Sequence, residues 1–150
     1  QGDLITSDCN VIAHGCNCFH TMGSGIARAV RLLIPEAYTA DLRTPYGDNK
    51  KLGTYSMAWS DSHNKFVFNL YTQFTFGSKK VELEYDALRS CLIGFKSFVD
   101  TMDTLEGKRS KVGMPRIGCG LAGGDWELVK NIINEIFTDR DIYKIGRAHV

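Results

Sequence analysis

Two glycine-rich stretches of this 150-residue chain suit the binding of an anion. The first ends Met22-Gly23-Ser24-Gly25-Ile26-Ala27, and the second reads Gly118-Cys119-Gly120-Leu121-Ala122-Gly123-Gly124. Neither contains Lys or Arg. An anion held there must therefore be held by backbone N–H groups, which glycine allows to approach closely. Each stretch follows a β-rich run and opens a helical pattern, and a helix N-terminus adds partial positive charge. A single loop of this kind reads most simply as a tight turn that lets a helix pack on a sheet. Two in the same setting favour a cradle for a diphosphate.

Other phosphate chemistries fail on spacing. A Walker A loop needs Gly-Lys-Ser/Thr after its spacer, and the chain has none. Gly118-x-Gly120-x-x-Gly123 fits the dinucleotide fingerprint literally, but too little chain follows for the next strand and its acid. A cysteine phosphatase loop needs Arg six positions after the nucleophile. After Cys9, Cys16, Cys18, Cys91 and Cys119 those positions hold Gly15, Met22, Ser24, Ser97 and Asp125.

Three further residues have types suited to chemistry. His14 ends an apolar run, where it is either a core histidine or a general base, since imidazole titrates near neutrality. His20 lies in the first loop, exposed or in contact with a distal phosphate. Asn17 stands between Cys16 and Cys18, and alternation in extended backbone points it away from both. The two cysteines are spaced too closely for a usual zinc site and read as packing.

The elements that must position these residues follow from periodicity. Val11, Ile12, Ala13 and His14 form a short buried strand, and residues 15–25 the first loop. Ile26, Ala29, Val30 and Leu33 recur at helical spacing until Pro35, and residues 37–43 suit a second short helix. Residues 54–59 and 66–72 read as a hairpin across Asp61-Ser62-His63-Asn64. Tyr85, Leu88, Cys91, Leu92, Phe95, Phe98, Val99 and Met102 mark one face of the longest helix. Residues 111–114 are a strand, Asp125 caps a helix carrying Trp126, Val129, Ile132, Ile133, Ile136 and Phe137, and residues 141–145 begin a last strand. Strands alternating with helices predict a three-layer α/β/α domain, and the hairpin makes its central sheet mixed.

Composition bounds the function. A net charge of +1 gives no broad basic field, so nucleic acid is not expected as the primary partner. No apolar run approaches membrane-spanning length. Five cysteines without framework spacing suit a reducing, cytoplasmic setting. Neither a metal nor a cofactor is expected, and a monomer acting on a small molecule is. Residues 1–145 read as one domain lacking its first strand. Residues 146–150 read as a non-native tail, because Ile145-Gly146-Arg147-Ala148-His149-Val150 is similar to a translated sequencing adapter.

Gly2-Asp3-Leu4, Ile12-Ala13-His14-Gly15-Cys16-Asn17-Cys18 and the first loop together resemble the opening of macro domains. The resemblance is greatest to the branch that dephosphorylates ADP-ribose 1''-phosphate. Met114-Pro115-Arg116-Ile117-Gly118-Cys119-Gly120-Leu121 looks like the second loop of that branch and of the terminal ADP-ribose glycohydrolases. The resemblance covers residues 2–145 and implies a macro domain fold binding ADP-ribose or ADP-ribose 1''-phosphate. It implies that Asp3, followed by Leu4, accepts from the adenine amino group and that Asn17 orients the distal ribose. Gly23, Ser24, Gly25 and Ile26 would form one phosphate loop, and Gly118, Cys119, Gly120, Leu121, Ala122 and Gly123 the other. Tyr143 would stack on adenine or merely pack, and His14, His20 and Asn17 would surround the 1''-phosphate.

Two departures matter. The lysine-dependent glycohydrolases carry Lys after a Thr of the central strand and Asp after the second-loop Leu. Here Gln73 follows Thr72 and Ala122 follows Leu121, which disfavours a lysyl adduct; Lys79 and Lys80 lie downstream. Hydrolysis of ADP-ribose 1''-phosphate is the expected activity. The alternatives are a reader without turnover and an ADP-ribosyl hydrolase of modified protein or nucleic acid.

Overall fold

The structure is a computed structural model that describes residues 3–77 and 81–146. Gly2, Lys79, Lys80 and the end of the tail from Arg147 onward lie outside the described residues. Five strands form one sheet in the order β2-β3-β1-β4-β5. They are β1 (Val11–Cys16), β2 (Tyr55–Ser60), β3 (Lys65–Tyr71), β4 (Val112–Met114) and β5 (Ile142–Lys144). β1 runs parallel to β3 and β4, and β4 parallel to β5, while β2 joins β3 as the antiparallel hairpin. The sheet is therefore mixed, as the hairpin predicts.

Helices cover both faces. α1 (Gly25–Leu33) and α2 (Pro35–Leu42) meet at Pro35, which occupies the first position of α2, where its missing N–H costs nothing. Alternation along β1 sends Ile12 and Cys16 into the core with these helices, together with Val30, Ile34, Val67 and Tyr71. Val11 and Ala13 face the other core, built from α3 (Tyr85–Glu106) and α4 (Trp126–Ile136). There Leu88, Cys91, Leu92, Phe95 and Val99 are the buried stripe of α3, with Phe95 edge-on to Phe68 at 4.7 Å. Gly107 ends α3 in the left-handed conformation, φ 68°. None of the helices among the described residues is long and apolar enough to cross a membrane.

The three parallel pairings point the carboxyl ends of β1, β3, β4 and β5 the same way. The segments leaving those ends must converge above the sheet, where α/β proteins bind ligands.

Candidate functional site

The carboxyl ends of the parallel strands open onto a cleft of about 810 Å³, of the size that holds small ligands. Both glycine loops line it, with Gln73 leaving β3 and Gly146 following β5.

The first loop begins at Asn17 rather than Gly15, because Gly15 and Cys16 stay paired with Leu70 and Tyr71. Side chains fix its shape. Asn17 Nδ2 donates to Thr21 Oγ1 at 2.7 Å, and Asn17 Oδ1 accepts from Phe19 N at 2.8 Å. Arg31 Nη1 donates to Thr21 O at 3.0 Å. His20 and Met22 adopt positive φ, 58° and 40°, an unusual conformation for residues with a Cβ. A Cβ placed on Gly23 would meet nothing closer than 3.9 Å, and on Gly25 nothing within 4 Å. α1 starts without a side-chain cap or an acid in its first turn. The N–H groups of Gly23, Ser24, Gly25, Ile26 and Ala27 take no acceptor among the described residues, and all five residues line the cleft. Uncapped donors at a helix N-terminus are what an anion binds.

The second loop is built on packing. Gly124 N donates to Gly118 O at 2.7 Å, and Gly123 N to Gly120 O at 3.1 Å. Leu83 fills the notch this makes. A Cβ on Gly118 would lie 2.6 Å from Leu83 Cδ1, and one on Gly124 would lie 2.5 Å from Leu83 Cδ2 and 2.6 Å from Gly118 O. Only Gly120 is open, with nothing within 4 Å of a Cβ there. The N–H groups of Gly120, Leu121 and Ala122 take no acceptor among the described residues. Gly123 does not line the cleft; its φ of +73° is the reason for glycine, and its Cβ position faces Val81. The first residues of α4 stand outside the lining too. Asp125 caps it, accepting from Glu127 N at 2.9 Å, and neither Asp125 nor Trp126 lines the cleft.

Both histidines expected at the reacting end are engaged elsewhere. His14 borders the cleft at the end of β1, but the residue is only 1 % exposed. Asn69 Nδ2 donates to Ala37 O at 2.9 Å and to Ser56 Oγ at 3.0 Å, so its Oδ1 must accept from His14 Nε2 at 2.7 Å. The remaining ring nitrogen lies 3.9 Å from Cys16 Sγ. Burial pushes the imidazole pKa down, against the Asn69 bond and the Asp41 charge, which raise it. The ring is thus enclosed at the cleft floor, with one nitrogen committed to Asn69. His20 turns away altogether: its Nε2 donates to Thr44 O at 2.8 Å, and its ring meets Tyr46 edge-on.

Three other expected contacts lie outside the lining. Asp3 folds onto its own turn, accepting from Ile5 N at 2.8 Å and Thr6 N at 3.2 Å, and Leu4 is fully buried core. Tyr143 sits half-exposed on β5 with Lys111 Nζ 4.6 Å from its ring centroid. Asn17, the glycines 23, 25, 118 and 120, and Ser24, Ile26, Cys119, Leu121 and Ala122 are brought together. Cys16, Cys18 and Cys91 are buried packing thiols, as their spacing and the apolar helix face predict.

Phe76, Glu82 and Arg116 are among the lining residues for which the sequence carries no expected role. Arg116 follows β4, and its guanidinium lies 5.1 Å from the Trp126 ring centroid. Phe76 and Glu82 come from the strap between β3 and α3, which carries no periodic signal. Burial raises the thiol pKa of Cys119. Among the described residues no group of three or more His, Cys, Asp or Glu side chains is placed to hold a metal.

Comparison with known proteins bears on this arrangement. A family model described as "Macro domain" matches residues 13–133. An uncharacterized 17.5 kDa protein of Enterobacteria phage T4 is 40 % identical over 147 residues, covering 95 % of this chain and 90 % of its own. An ADP-ribose 1''-phosphate phosphatase of Debaryomyces hansenii is 29 % identical over 163 residues, covering 90 % of each chain. Among solved structures, the macrodomain of Mycobacterium tuberculosis DarG superposes with a TM-score of 0.77 at 20 % identity, covering 100 % of this chain and 95 % of that one.

Proposed function

The chain belongs to the macro domain family, and from that premise we propose that it binds ADP-ribose across the cleft and hydrolyses ADP-ribose 1''-phosphate to ADP-ribose and phosphate. The observation that carries the binding is the facing pair of loops, each with an open glycine edge and unpartnered N–H donors. The diphosphate lies between them. α1 supplies the helix-terminal charge from the first-loop side, and Gly120, Leu121 and Ala122 supply donors from the second. Asn17, held rigid by Thr21 and Phe19, orients the distal ribose. His14 acts through β1 as a positioning residue, locked beneath the loop by Asn69. The name of the Debaryomyces relative supports the phosphatase reading over binding without turnover.

Phosphorus NMR of ADP-ribose 1''-phosphate mixed with protein tests this. Growth of an inorganic phosphate signal at the rate of substrate loss is the expected result. Substrate that binds, by calorimetry, yet persists through many equivalents of enzyme would make the protein a reader.

A further inference from the structure

Two described limbs of the segment between β3 and α3, residues 72–77 and 81–84, are tied to the two loops at one end of the cleft. Its outgoing limb is tied to the first loop, where Cys18 N donates to Phe74 O at 2.9 Å. Its returning limb is tied to the second, where Glu82 N and Leu83 N both donate to Ala122 O, at 2.8 and 3.3 Å. Glu84 N closes the strap onto Thr72 O at 2.9 Å, and Gln73 bridges to Leu83. Leu83 points into the glycine notch and is 4 % exposed. Extended backbone alternates its side chains, so Glu82 on the other side of the limb faces the cleft, which it lines. Sheet order sets which end this is. β3 lies beside β1, so the strap stands next to Asn17, opposite the β5 end where Gly146 lines the cleft.

We propose that Glu82 is a catalytic residue, the carboxylate that takes a proton from the attacking water. The inference rests on the hydrolytic reading above. Glu82 carries the only carboxylate among the described lining residues. None of the other titratable groups there can serve as that base, since the His14 ring is enclosed, the Cys16 thiol is buried, Arg116 is a cation, and the Cys119 thiol is held protonated by burial. Position 122, at the tip of the second loop, is alanine, so the loop itself brings no base. In the step, the water oxygen bonds to phosphorus as the bond from phosphorus to the anomeric oxygen breaks. The electron pair goes to that oxygen, the water proton goes to Glu82, and the protonated carboxyl then returns it to the departing ribose oxygen. ADP-ribose and inorganic phosphate are the products, and nothing is oxidised or reduced.

A base of this kind leaves a signature that a structural residue does not. It contributes about 10² to 10⁴ to turnover. Its negative charge beside phosphate groups weakens ground-state binding, so neutralising it does not cost affinity. Glu82→Gln should therefore lower kcat by about 10²-fold or more, while ADP-ribose binds at least as tightly by calorimetry. Glu82→Ala should be equally slow and should recover activity with added formate, which replaces the missing carboxylate. A parent enzyme that releases phosphate and a Glu82→Gln variant within about threefold of it would overturn the role of Glu82 alone. So would loss of affinity parallel to loss of rate, or an alanine variant indifferent to formate. A parent that binds ADP-ribose and releases no phosphate would overturn the hydrolytic reading and this inference with it.

Discussion

The first loop keeps its shape through side-chain hydrogen bonds, Arg31 on Thr21 and Asn17 on Thr21, and leaves its glycines Gly23 and Gly25 unobstructed. The second keeps its shape by seating Leu83 between Gly118 and Gly124, and leaves only Gly120 unobstructed. The two stretches look alike as composition, yet glycine does different work in them. In the first it clears a path for a ligand. In the second it mostly makes room for a side chain of the protein itself, and a single position serves the ligand.

The largest effect that would test this contrast is on stability. Gly124→Ala places a methyl against Leu83 and against the Gly118 carbonyl, and a backbone atom cannot swing aside. A loss of about 3 kcal/mol is expected from overpacking, a fall in Tm of roughly 10 °C for a domain of this size. Gly23→Ala should melt like the parent. Equal melting of the two variants would erase the distinction. Next comes binding. Gly120→Asp projects a carboxylate from an open position with no strained φ, so it should keep the parent Tm. It should weaken ADP-ribose about 100-fold, or roughly 2.7 kcal/mol, by calorimetry. Retained affinity there would remove the second loop from the phosphate cradle. Gly123→Ala sharpens the point from the other side. It should cost about 1–2 kcal/mol for left-handed backbone and leave affinity unchanged, because Gly123 stands outside the cleft.

The smallest effect concerns the floor beneath the first loop. Burial lowers the pKa of His14 in the folded protein, so below the ordinary value of 6.5 the unfolded chain takes up a proton that the folded one refuses. Stability contributed by neutral His14 is present above that value and lost as pH falls through it, at most about 1.4 kcal/mol per pH unit. Urea melts of the parent from neutral to mildly acid pH should show this decline, and His14→Gln should flatten it. A variant with the parent's full slope would assign the decline to another group.

Much of the frame was legible before any coordinates. Apolar runs and helical spacing located the five strands and four α-helices of the described residues, and Pro35 marked the junction of α1 and α2. The two loops were legible because glycine clusters between strand and helix patterns are local signals. The failures share a cause, which is that partners distant in sequence decide. Leu83 crowds Gly118 and Gly124 from outside their loop. Asn69, 55 residues from His14, bonds a ring that the sequence leaves open as core histidine or general base. Thr44, 24 residues away, draws His20 aside from the cleft. The limb bearing Glu82 has no periodicity, and its bonds to Ala122 O and Thr72 O, both distant in sequence, show where it goes.

The distribution of sulfur gives the protein a native reporter of occupancy. Cys9, Cys16, Cys18 and Cys91 are buried, Cys16 beneath the cleft floor, whereas Cys119 is partly exposed on the cleft wall. An alkylating reagent added to the folded protein therefore has one thiol to find, and it sits where the ligand would lie. Because burial raises the pKa of that thiol, labelling proceeds slowly at neutral pH and accelerates in mild alkali, where thiolate forms. Intact mass after a timed exposure then counts empty sites directly, and a compound that enters the cleft announces itself as mass not gained, with no engineered probe.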